Sequence, residues 1–549
     1  RSRENALHNL MQDWPLRVSS ILDHAAKYHA NRRIITRTVE GPIEETNYAE
    51  VRAKALRVAE GLAEMGLGRG DTVGVMAWNT ARHMQVWYGV SGAGCVLHTL
   101  NPRLSVEQLV YIINHAEDKV LMVDYDLVPL IEAVQDQLTT VQSYVILTDR
   151  EHMPETTLPS PICYEEWIAA QSGDFAWVEG DERDACGICY TSGTTGNPKG
   201  VVYTHRSNVL HALASSTPDS LGVSCNDVMM PVVPLFHANG WSIAYTAPLN
   251  GASLVMPGRD MTPGALFEML EMGVTITAAV PTIWLLLLQY LKAEGKSPST
   301  LKRVVIGGSS CPRAVIEAFQ NDYGVRVLHA WGMTETSPLG TMGTFTPEIM
   351  ALDEAGRLDN QETVGHSPFT VDLRIVDDEG AELPWDGETQ GRLLIRGPGV
   401  VKRYLKGAEE AADDENWFDT GDVATIDANS YVRITDRSKD VIKSGGEWIS
   451  SIELENAAVA HPGVAEAAAI GVAHPKWDER PVLVIVKAAG ADPDPTEIID
   501  LAAANFAKWQ RPDDVVFMDE LPHTATGKIS KLHLRKRLEE MDYKLPDQR

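Results

Sequence analysis

Apolar side chains in the first half of the chain alternate between helical and strand spacing. Residues 51–65 repeat them at the spacing of an amphipathic helix, whereas 71–78 form a short run typical of a buried strand. Ser105 and Gln108 have the spacing of a capping box, which predicts a helix from there to about Ala116. Repeated strand–helix units of this kind predict parallel sheets covered by helices.

Further short apolar runs end at Val255, Val280 and Ile306 and lead into loops that contain glycine or proline. Ligands of open α/β sheets bind at such carboxyl ends of strands, so we expect the site there. The most apolar stretch, 282–291, is too short to cross a bilayer, so no membrane span is predicted.

The pattern changes near residue 436. The segments 417–422 and 431–434 predict antiparallel hairpins, and the remaining residues are numerous enough for a small α+β domain. We therefore predict a large N-terminal α/β domain of stacked sheets over 1–435, a hinge over 436–440 and a small C-terminal domain over 441–549. The elements expected in the small domain are a helix near 451–460, strands near 465–472 and 481–487, and a helix near 495–508.

Composition narrows the classes of partner. The chain has 549 residues and a formal net charge of −28, which argues against nucleic acids and anionic membranes. The six cysteines are too sparse for a disulfide scaffold, which favours a reducing compartment and hence the cytoplasm. Cys186 and Cys189 have redox-motif spacing, but they lie in an apparent strand, and we interpret them as core residues.

The loop 190–200 carries the strongest chemical signal. It combines hydroxyl side chains, glycines and one lysine directly after an apolar run, a composition that offers many donors to anionic oxygens. It is not a Walker A loop, because Gly200 rather than Ser or Thr follows Lys199. The loop is interpreted as a polyphosphate cradle in which the candidate ligands are Thr191, Ser192, Gly193, Thr194, Thr195 and Lys199.

Three further segments offer complementary chemistry. Thr334 and Glu335 place a hydroxyl beside a carboxylate that could bind Mg²⁺. Asp422 could accept hydrogen bonds from ribose hydroxyls, with Arg437 as a fork of donors. Lys528, next to a glycine in a loop, could neutralise charge at a phosphoryl centre. Each alone is more often an ordinary surface residue.

Together, these four segments resemble the signature set of the adenylate-forming superfamily, which comprises acyl-CoA synthetases, firefly-type luciferases and peptide-synthetase adenylation domains. The resemblance covers essentially the whole chain. It implies the superfamily's fold, with a β-barrel-like subdomain in the large domain and a mobile small domain. It also implies ATP, Mg²⁺ and coenzyme A, with Glu335 at the metal and Lys528 serving adenylation.

The resemblance assigns further residues. Those implied to line the nucleotide site are Gly308, Ser309, Ser310, His329, Ala330, Trp331, Gly332, Met333 and Thr334, with Asp422 and Arg437 at the ribose. Lys439 matches the hinge position. A glycine-rich turn in the small domain is implied to shape the thiol tunnel and contains Lys443, Gly445, Gly446 and Glu447.

The implied reaction has two half-reactions without a covalent enzyme intermediate. A carboxylate attacks the α-phosphorus of ATP and forms an acyl-adenylate, and catalysis then consists of positioning and charge neutralisation. The small domain next rotates about Lys439, withdraws Lys528 and allows the thiol of coenzyme A to attack the acyl carbonyl.

The acceptor and the acid are judged from the acyl-pocket segments. His237 stands where amino-acid-activating domains need a carboxylate, which favours an acyl-CoA synthetase in which this histidine lines the acyl and thiol passage. Light emission is disfavoured, although Lys443 also occurs in luciferases. The residues expected to line the acyl pocket are Trp241, Pro281, Gly307, Trp331 and Leu339.

The bulk of these pocket residues favours a short- or medium-chain acid, and the resemblance is strongest to the 3-methylmercaptopropionate–CoA ligases of marine bacteria. A general medium-chain fatty acyl-CoA synthetase is the alternative within the class. From another class, the chain could be a catalytically silent protein that binds acyl-adenylates or coenzyme A. The partners predicted for the ligase are a small carboxylic acid and coenzyme A. A homodimer is compatible with the sequence.

Overall fold

The computed structural model describes residues 10–191, 197–445, 447–524 and 527–549. Its α-helices are α1 (Ser19–Tyr28), α2 (Tyr48–Glu64), α3 (Ala81–Gly92), α4 (Val106–His115), α5 (Val128–Glu132), α6 (Tyr164–Ala169), α7 (His205–Ser215), α8 (Ile243–Asn250), α9 (Pro263–Leu270), α10 (Pro281–Glu294), α11 (Arg313–Glu317), α12 (Pro347–Met350), α13 (Glu354–Gln361), α14 (Ser451–Val459), α15 (Pro495–Ala503) and α16 (Lys531–Glu540). Among the described residues, no helix is long and apolar enough to cross a membrane.

Two large sheets form the first part of the chain. One contains β1 (Arg33–Arg37), β2 (Ile43–Asn47), β10 (Val228–Pro231), β11 (Ser253–Met256), β12 (Ile276–Ala279), β13 (Arg303–Ile306), β14 (Arg326–Gly332) and β15 (Leu339–Met342), in the order β15-β14-β13-β12-β10-β11-β1-β2. The other contains β3 (Thr72–Met76), β4 (Val96–Thr99), β5 (Asp118–Asp124), β6 (Ser143–Leu147), β7 (Ile162–Cys163), β8 (Ala185–Tyr190) and β9 (Gly200–Thr204), in the order β7-β6-β5-β3-β4-β8-β9. Their central pairings are parallel and their antiparallel pairings lie at the edges, which confirms the predicted architecture.

Helices buried between the two large sheets join them into one core. Helix α3 is buried along its whole length, and Tyr88 on it donates a hydrogen bond of 2.6 Å to the carbonyl of Ala244 on α8. Trp87 of α3 packs edge-on against Tyr245 of α8. Burial of such aromatic side chains contributes much of the stability of a core. The layers therefore form one rigid support for the loops at their edges.

The second part of the chain contributes two smaller sheets. An antiparallel sheet has the order β16 (Asp372–Val376), β17 (Gly391–Arg396), β18 (Phe418–Ile426) and β19 (Val432–Arg437). The last sheet contains β20 (Ile442–Ser444), β21 (Glu447–Ile449), β22 (Val464–His474), β23 (Asp478–Lys487) and β24 (Asp514–Phe517), and helices α14, α15 and α16 accompany it. We call this last unit the small domain and the rest the large domain.

Local sequence signals mark several boundaries correctly. The capping box is present, since Ser105 accepts from the N–H of Gln108 while the Gln108 side chain accepts from the N–H of Ser105. Cys186 and Cys189 lie in β8 and are buried on its two sides, as expected of core residues. The helix expected near 495–508 is shorter, because α15 ends at Ala503 and the chain turns to pack Phe506 against the core of the small domain.

Candidate functional site

Strands β8 and β9 hold the two ends of the predicted phosphate loop. Tyr190 pairs with Gly200, and the N–H of Thr191 donates to the carbonyl of Lys199 over 2.8 Å. The N–H of Lys199 donates back to the Thr191 hydroxyl over 3.3 Å. The two described ends of the loop therefore continue a regular hairpin at the edge of a buried sheet. Four of its candidate ligands, Ser192, Gly193, Thr194 and Thr195, lie outside the described residues.

Tyr404 connects this loop to Glu335. Its hydroxyl donates to a carboxylate oxygen of Glu335 over 2.9 Å, and the Lys199 ammonium lies 5.0 Å from the centre of its ring. The neighbouring backbone makes the same connection, because the N–H of Leu405 donates to the carbonyl of Gly200 and that of Val401 to the carbonyl of Glu335. The phosphate loop and the acidic residue are thus held against one segment.

Glu335 is a buried carboxylate, with 8% of its surface exposed. We call the region around Glu335, Lys199, Asp422, Arg437 and Lys528 the cleft. Desolvation raises its pKa, while its backbone environment, the Tyr404 hydrogen bond and the charges of Arg437 and Lys199 oppose that rise. A buried acid with a raised pKa and nearby cations is a characteristic of functional sites. Glu335 follows β14 in a single 3₁₀ turn, Thr334–Thr336, so a strand end positions it, as the sequence predicts.

Asp422 and Arg437 are brought together by the pairing of β18 with β19. The two residues are opposite each other in the register, and their side chains form an ion pair of 2.6 Å. The other oxygen of Asp422 accepts from the indole N–H of Trp331 over 2.9 Å. Asp422 is 3% exposed, so both of its oxygens are fixed in direction.

The ring of Trp331 lies directly over Gly340. A Cβ at Gly340 would come within 2.3 Å of that ring, so the position requires glycine. Sequence reasoning places Trp331 in the walls of the adenine and acyl pockets. In the structure this ring also orients Asp422, a contact that spans 91 residues of the chain.

Lys528 reaches the same cleft from the small domain. Its loop is closed by backbone bonds, with the N–H of Thr524 donating to the carbonyl of Lys528 over 2.6 Å. The side chain keeps access to water, but the protein around it is dense enough that desolvation lowers its pKa. Arg437 lowers that pKa further, whereas Asp422 and Glu335 raise it. The lysine and the carboxylates predicted from separate segments therefore share one electrostatic environment.

His237 precedes a turn of unusual backbone conformation, and Trp241 lies within that turn. All five residues from Ala238 to Ser242 have positive φ values, between 43° and 67°, and four of them are not glycine. Left-handed conformation costs about 1–2 kcal/mol for each such residue, so surrounding contacts must hold the turn. Desolvation, together with the nearby charge of Lys528, lowers the pKa of His237 to about 4, so this imidazole is neutral at pH 7.

The turn directs the Trp241 ring toward the end of β13. A Cβ at Gly307 would lie 3.3 Å from the indole and 3.1 Å from the carbonyl of Ala330, so the ring approaches the backbone closely. Leu339 is 9% exposed at the start of β15, and Pro281 opens helix α10 after β12. The predicted acyl-pocket residues therefore lie at one edge of the sheet, where β12, β13 and β14 end and the antiparallel strand β15 begins, with Trp331 at the end of β14.

Other predicted residues contribute in different ways. His329 is 2% exposed and its Nδ1 lies 3.3 Å from the carbonyl of Gln361, so its side chain is buried away from solvent. Met333 opens the 3₁₀ turn of Glu335, and its N–H donates to the carbonyl of Pro338 over 3.0 Å. Ser310 accepts a hydrogen bond of 2.9 Å from Asn456 of the small domain. Residues Gly308, Ser309, Ala330 and Gly332 lie beside them along β14 and in the loop after β13.

The glycine-rich turn that follows the predicted hinge is built on the small domain. The N–H of Lys443 donates to Glu479 over 2.9 Å, and that of Gly445 to the carbonyl of Trp477 over 2.9 Å. Glu447 begins β21, and Gly446 lies outside the described residues. This turn therefore moves with the small domain if that domain rotates.

Two residues of the site were missed from the sequence. Tyr404 lies 69 residues from the carboxylate that it binds, and no short motif marks it. His211 accepts from the N–H of Leu339 over 3.0 Å, while its other ring nitrogen lies 3.2 Å from the Ser242 hydroxyl. His211 therefore fixes the left-handed turn against β15. Its position on the buried face of α7 was a weak signal at most.

The structure combines two stacked α/β sheets, an antiparallel sheet with a paired Asp and Arg, and a small domain that brings a lysine to the same cleft. This combination defines the fold of adenylate-forming enzymes. The comparisons with known proteins agree. The model of the AMP-binding enzyme family matches residues 22–405, and that of the AMP-binding enzyme C-terminal domain matches residues 453–528. The chain belongs to the family of AMP-binding enzymes.

Its relatives cover almost the whole chain. A 3-methylmercaptopropionyl-CoA ligase of Ruegeria lacuscaerulensis is 49% identical over 96% of this chain and 98% of its own length. A medium-chain-fatty-acid–CoA ligase of Ectopseudomonas oleovorans is 43% identical over 95% of both chains. The anthranilate CoA ligase AuaEII in complex with anthranoyl-AMP is a structural neighbour, with a TM-score of 0.84, 26% identity, and coverage of 97% of this chain and all of the other.

Proposed function

We propose that this enzyme is an ATP-dependent, AMP-forming acid–CoA ligase that works through an acyl-adenylate. The observation that carries the proposal is the convergence of Lys528, Arg437, Asp422 and Glu335 from two domains on one cleft. The cations suit the triphosphate of ATP, and Asp422 suits a ribose. The relatives named as CoA ligases support a thiol acceptor in the second step.

In the first half-reaction the acid attacks the α-phosphorus, and pyrophosphate leaves. Lys528 neutralises charge at the α-phosphoryl group, and the loop 190–200 binds the departing phosphates with Lys199 at its end. Asp422, held by Trp331 and Arg437, fixes the ribose and therefore the position of the phosphorus. The neutral His237 lines the passage for the acid and the thiol without adding charge to it.

Glu335 is the residue that would hold Mg²⁺. Among the described residues there is no group of three or more His, Cys, Asp or Glu side chains able to hold a metal ion. This fits Mg²⁺, which nucleotide enzymes commonly bind through one or two carboxylates together with substrate phosphates and water. The ion would neutralise charge on the phosphates when bound.

The predicted rotation between the half-reactions is best placed at Lys439. On its large-domain side, the N–H of Ser438 donates to the carbonyl of Gly421 over 2.9 Å. On the other side, the carboxylate of Asp440 forms an ion pair of 3.1 Å with Arg535 of α16. Because its neighbours are bound to different domains, Lys439 is the natural pivot within the proposed hinge 436–440.

For the acid we propose 3-methylmercaptopropionate, with a general medium-chain fatty acid as the alternative. The relatives at 49% and 43% identity carry these two activities in their names. The approach of Trp241 to Gly307 narrows the pocket and supports a short or medium chain. A cytoplasmic location and a homodimer remain predictions.

An activity panel tests the proposal. The protein is incubated with ATP, Mg²⁺ and coenzyme A and with acids from acetate to palmitate, plus 3-methylmercaptopropionate, and both AMP and thioester are measured. We expect stoichiometric AMP and thioester with the best short or medium acid. Absence of AMP with every acid would contradict the ligase and favour the silent binding protein.

Lys528→Ala separates the two half-reactions. Adenylation should collapse, because a cation in contact with the phosphoryl centre is lost, whereas thioester formation from supplied acyl-adenylate should largely survive. Lys536→Ala, on the exposed part of α16, is the matched control and should change neither. An equal loss in both half-reactions would contradict the rotation.

A further inference from the structure

A chain of hydrogen bonds joins the antiparallel sheet to the segment that carries Lys528. Asp436, which is fully buried on β19, accepts from the N–H of Ser451 over 2.6 Å and from its hydroxyl over 3.0 Å. The Ser451 hydroxyl in turn accepts from the ammonium of Lys531 over 2.5 Å. Lys531 is the first residue of α16 and follows Lys528 by three positions. We call this chain the Asp436–Ser451–Lys531 relay.

A second partner fixes the end of the relay inside the small domain. The Lys531 ammonium lies 2.6 Å from a carboxylate oxygen of Glu455, and the two side chains are only 10% and 17% exposed. Glu455 also accepts from the N–H of Ala469 over 2.9 Å. Because α14 and β22 supply these partners, the position of the Lys531 ammonium is determined by the core of the small domain.

Only one part of the relay crosses from one domain to the other. Lys531, Glu455 and Ser451 all belong to the small domain and would keep their mutual contacts during a rotation. Asp436 belongs to β19, which pairs with the strand of Asp422. A rotation about Lys439 would therefore break the Ser451–Asp436 bonds while the Lys531–Glu455 pair survives.

Two other side-chain hydrogen bonds cross the same boundary in the part of the chain that the structure describes. Ser450 donates to the carbonyl of Thr435, and Asn456 donates to Ser310 over 2.9 Å. These contacts involve neutral groups, whereas the relay connects a carboxylate to an ammonium through one hydroxyl. Hydrogen bonds to charged groups contribute more than neutral ones, so the relay is the strongest polar connection of this set.

We propose that the Asp436–Ser451–Lys531 relay holds Lys528 in the cleft during adenylation and is released for thioester formation. The inference rests on the proposed function. Ser451 and Lys531 are then positioning residues, which act through Lys528 rather than on the substrate. Their loss should slow the first half-reaction and leave the second almost unchanged.

Ser451→Ala is the most selective test. It removes the hydroxyl that joins the two charges, but it keeps the backbone bond to Asp436 and the Lys531–Glu455 ion pair. Adenylation is measured by acid-dependent exchange of pyrophosphate into ATP, and the second step by thioester formation from supplied acyl-adenylate and coenzyme A. The loss of a hydrogen bond between charged partners predicts an exchange rate about tenfold lower, with the second step changed by less than about twofold.

Lys531 variants provide an independent measurement. Lys531→Met should lower exchange further, and Lys531→Arg, which keeps the charge and donors, should restore part of it. Lys536→Met is the matched control on an exposed position of the same helix. Because Lys531→Met leaves Glu455 without its cation, its thermal unfolding is recorded beside that of the Arg variant.

The outcomes are distinct. A selective loss of exchange in Ser451→Ala, with partial rescue by Lys531→Arg, supports the relay. Unchanged exchange in Ser451→Ala, or an equal fall in both half-reactions, overturns it and indicates a purely structural contact. If the unsubstituted protein shows no exchange with any acid while it remains folded, the proposed function fails, and the inference fails with it.

Discussion

The contact between Trp331 and Asp422 gives a prediction that can be worked through from the geometry. Asp422 is fixed by two anchors, the Arg437 guanidinium at 2.6 Å and the Trp331 indole N–H at 2.9 Å. Trp331→Phe removes the second anchor and keeps an aromatic ring over Gly340. The carboxylate then becomes free to turn toward Arg437 and away from the ribose that we propose it binds.

The expected size of the effect comes from the lost hydrogen bond. A hydrogen bond to a charged group contributes about 1.5–3 kcal/mol, and about 1.4 kcal/mol corresponds to a factor of ten. Because Arg437 still holds one oxygen, we expect the lower end of that range. The value of kcat/KM for ATP should therefore fall about tenfold, while KM for coenzyme A stays near its original value.

Trp284→Phe is the matched control for this substitution. Trp284 is fully buried in α10 and also donates from its indole, over 3.3 Å to the carbonyl of Val305, but it makes no contact with Asp422. Both variants should lose thermal stability, because a smaller ring leaves space in a packed core. Only Trp331→Phe should lose kcat/KM for ATP. Equal kinetics in the two variants, at similar stability, would refute the anchoring role of Trp331.

Three further predictions test other parts of the structure. Glu335→Gln should raise the Mg²⁺ concentration needed for half-maximal adenylation. The raised pKa of Glu335 predicts that protonation weakens Mg²⁺ binding at low pH, and the variant should lose this pH dependence. Metal titrations at several pH values measure both effects. Gly340→Ala should displace the Trp331 ring and lower both the melting temperature and kcat/KM for ATP, whereas Gly68→Ala, where a Cβ meets open space, should lower neither. Burial raises the pKa of Asp124 from 3.8 to about 8, so the folded state binds the proton more tightly than the unfolded state. The free energy of unfolding should therefore fall as the pH rises from about 4 to about 8. In denaturant titrations over this pH range, Asp124→Asn should show a weaker dependence of the unfolding free energy on pH.

Much of the fold could be predicted because local patterns and tertiary structure agree. The helix that begins after Ser105 is specified by its own capping residues, and β3 and β5 by short apolar runs. The helix predicted near 495–508 is too long, because the packing of Phe506 rather than a local stop signal ends α15. The left-handed turn from Ala238 to Ser242 could not be predicted, since contacts with His211, distant in sequence, hold it.

The candidate site divides in the same way. Glu335 and Lys528 could be predicted as candidates because each lies in a short motif, and the structure brings them into one electrostatic environment. Tyr404 and His211 were missed because each contacts a partner far along the chain. Their roles depend on orientation, which a list of residue types does not contain. Short motifs therefore indicate candidate site residues better than they indicate the residues that orient them.

The cations of the cleft differ in how firmly they are held, and this difference fits a two-step reaction. Arg437 is fixed by the ion pair with Asp422, and Lys199 lies against the ring of Tyr404. Among the described residues, Lys528 instead meets Asp422 and Glu335 only through longer-range interactions, which Arg437 and Lys439 oppose. These interactions act in opposite directions, and they do not fix Lys528 as a direct ion pair would. The proposed relay supplies such direct contacts outside the cleft, where Ser451 joins Asp436 to Lys531.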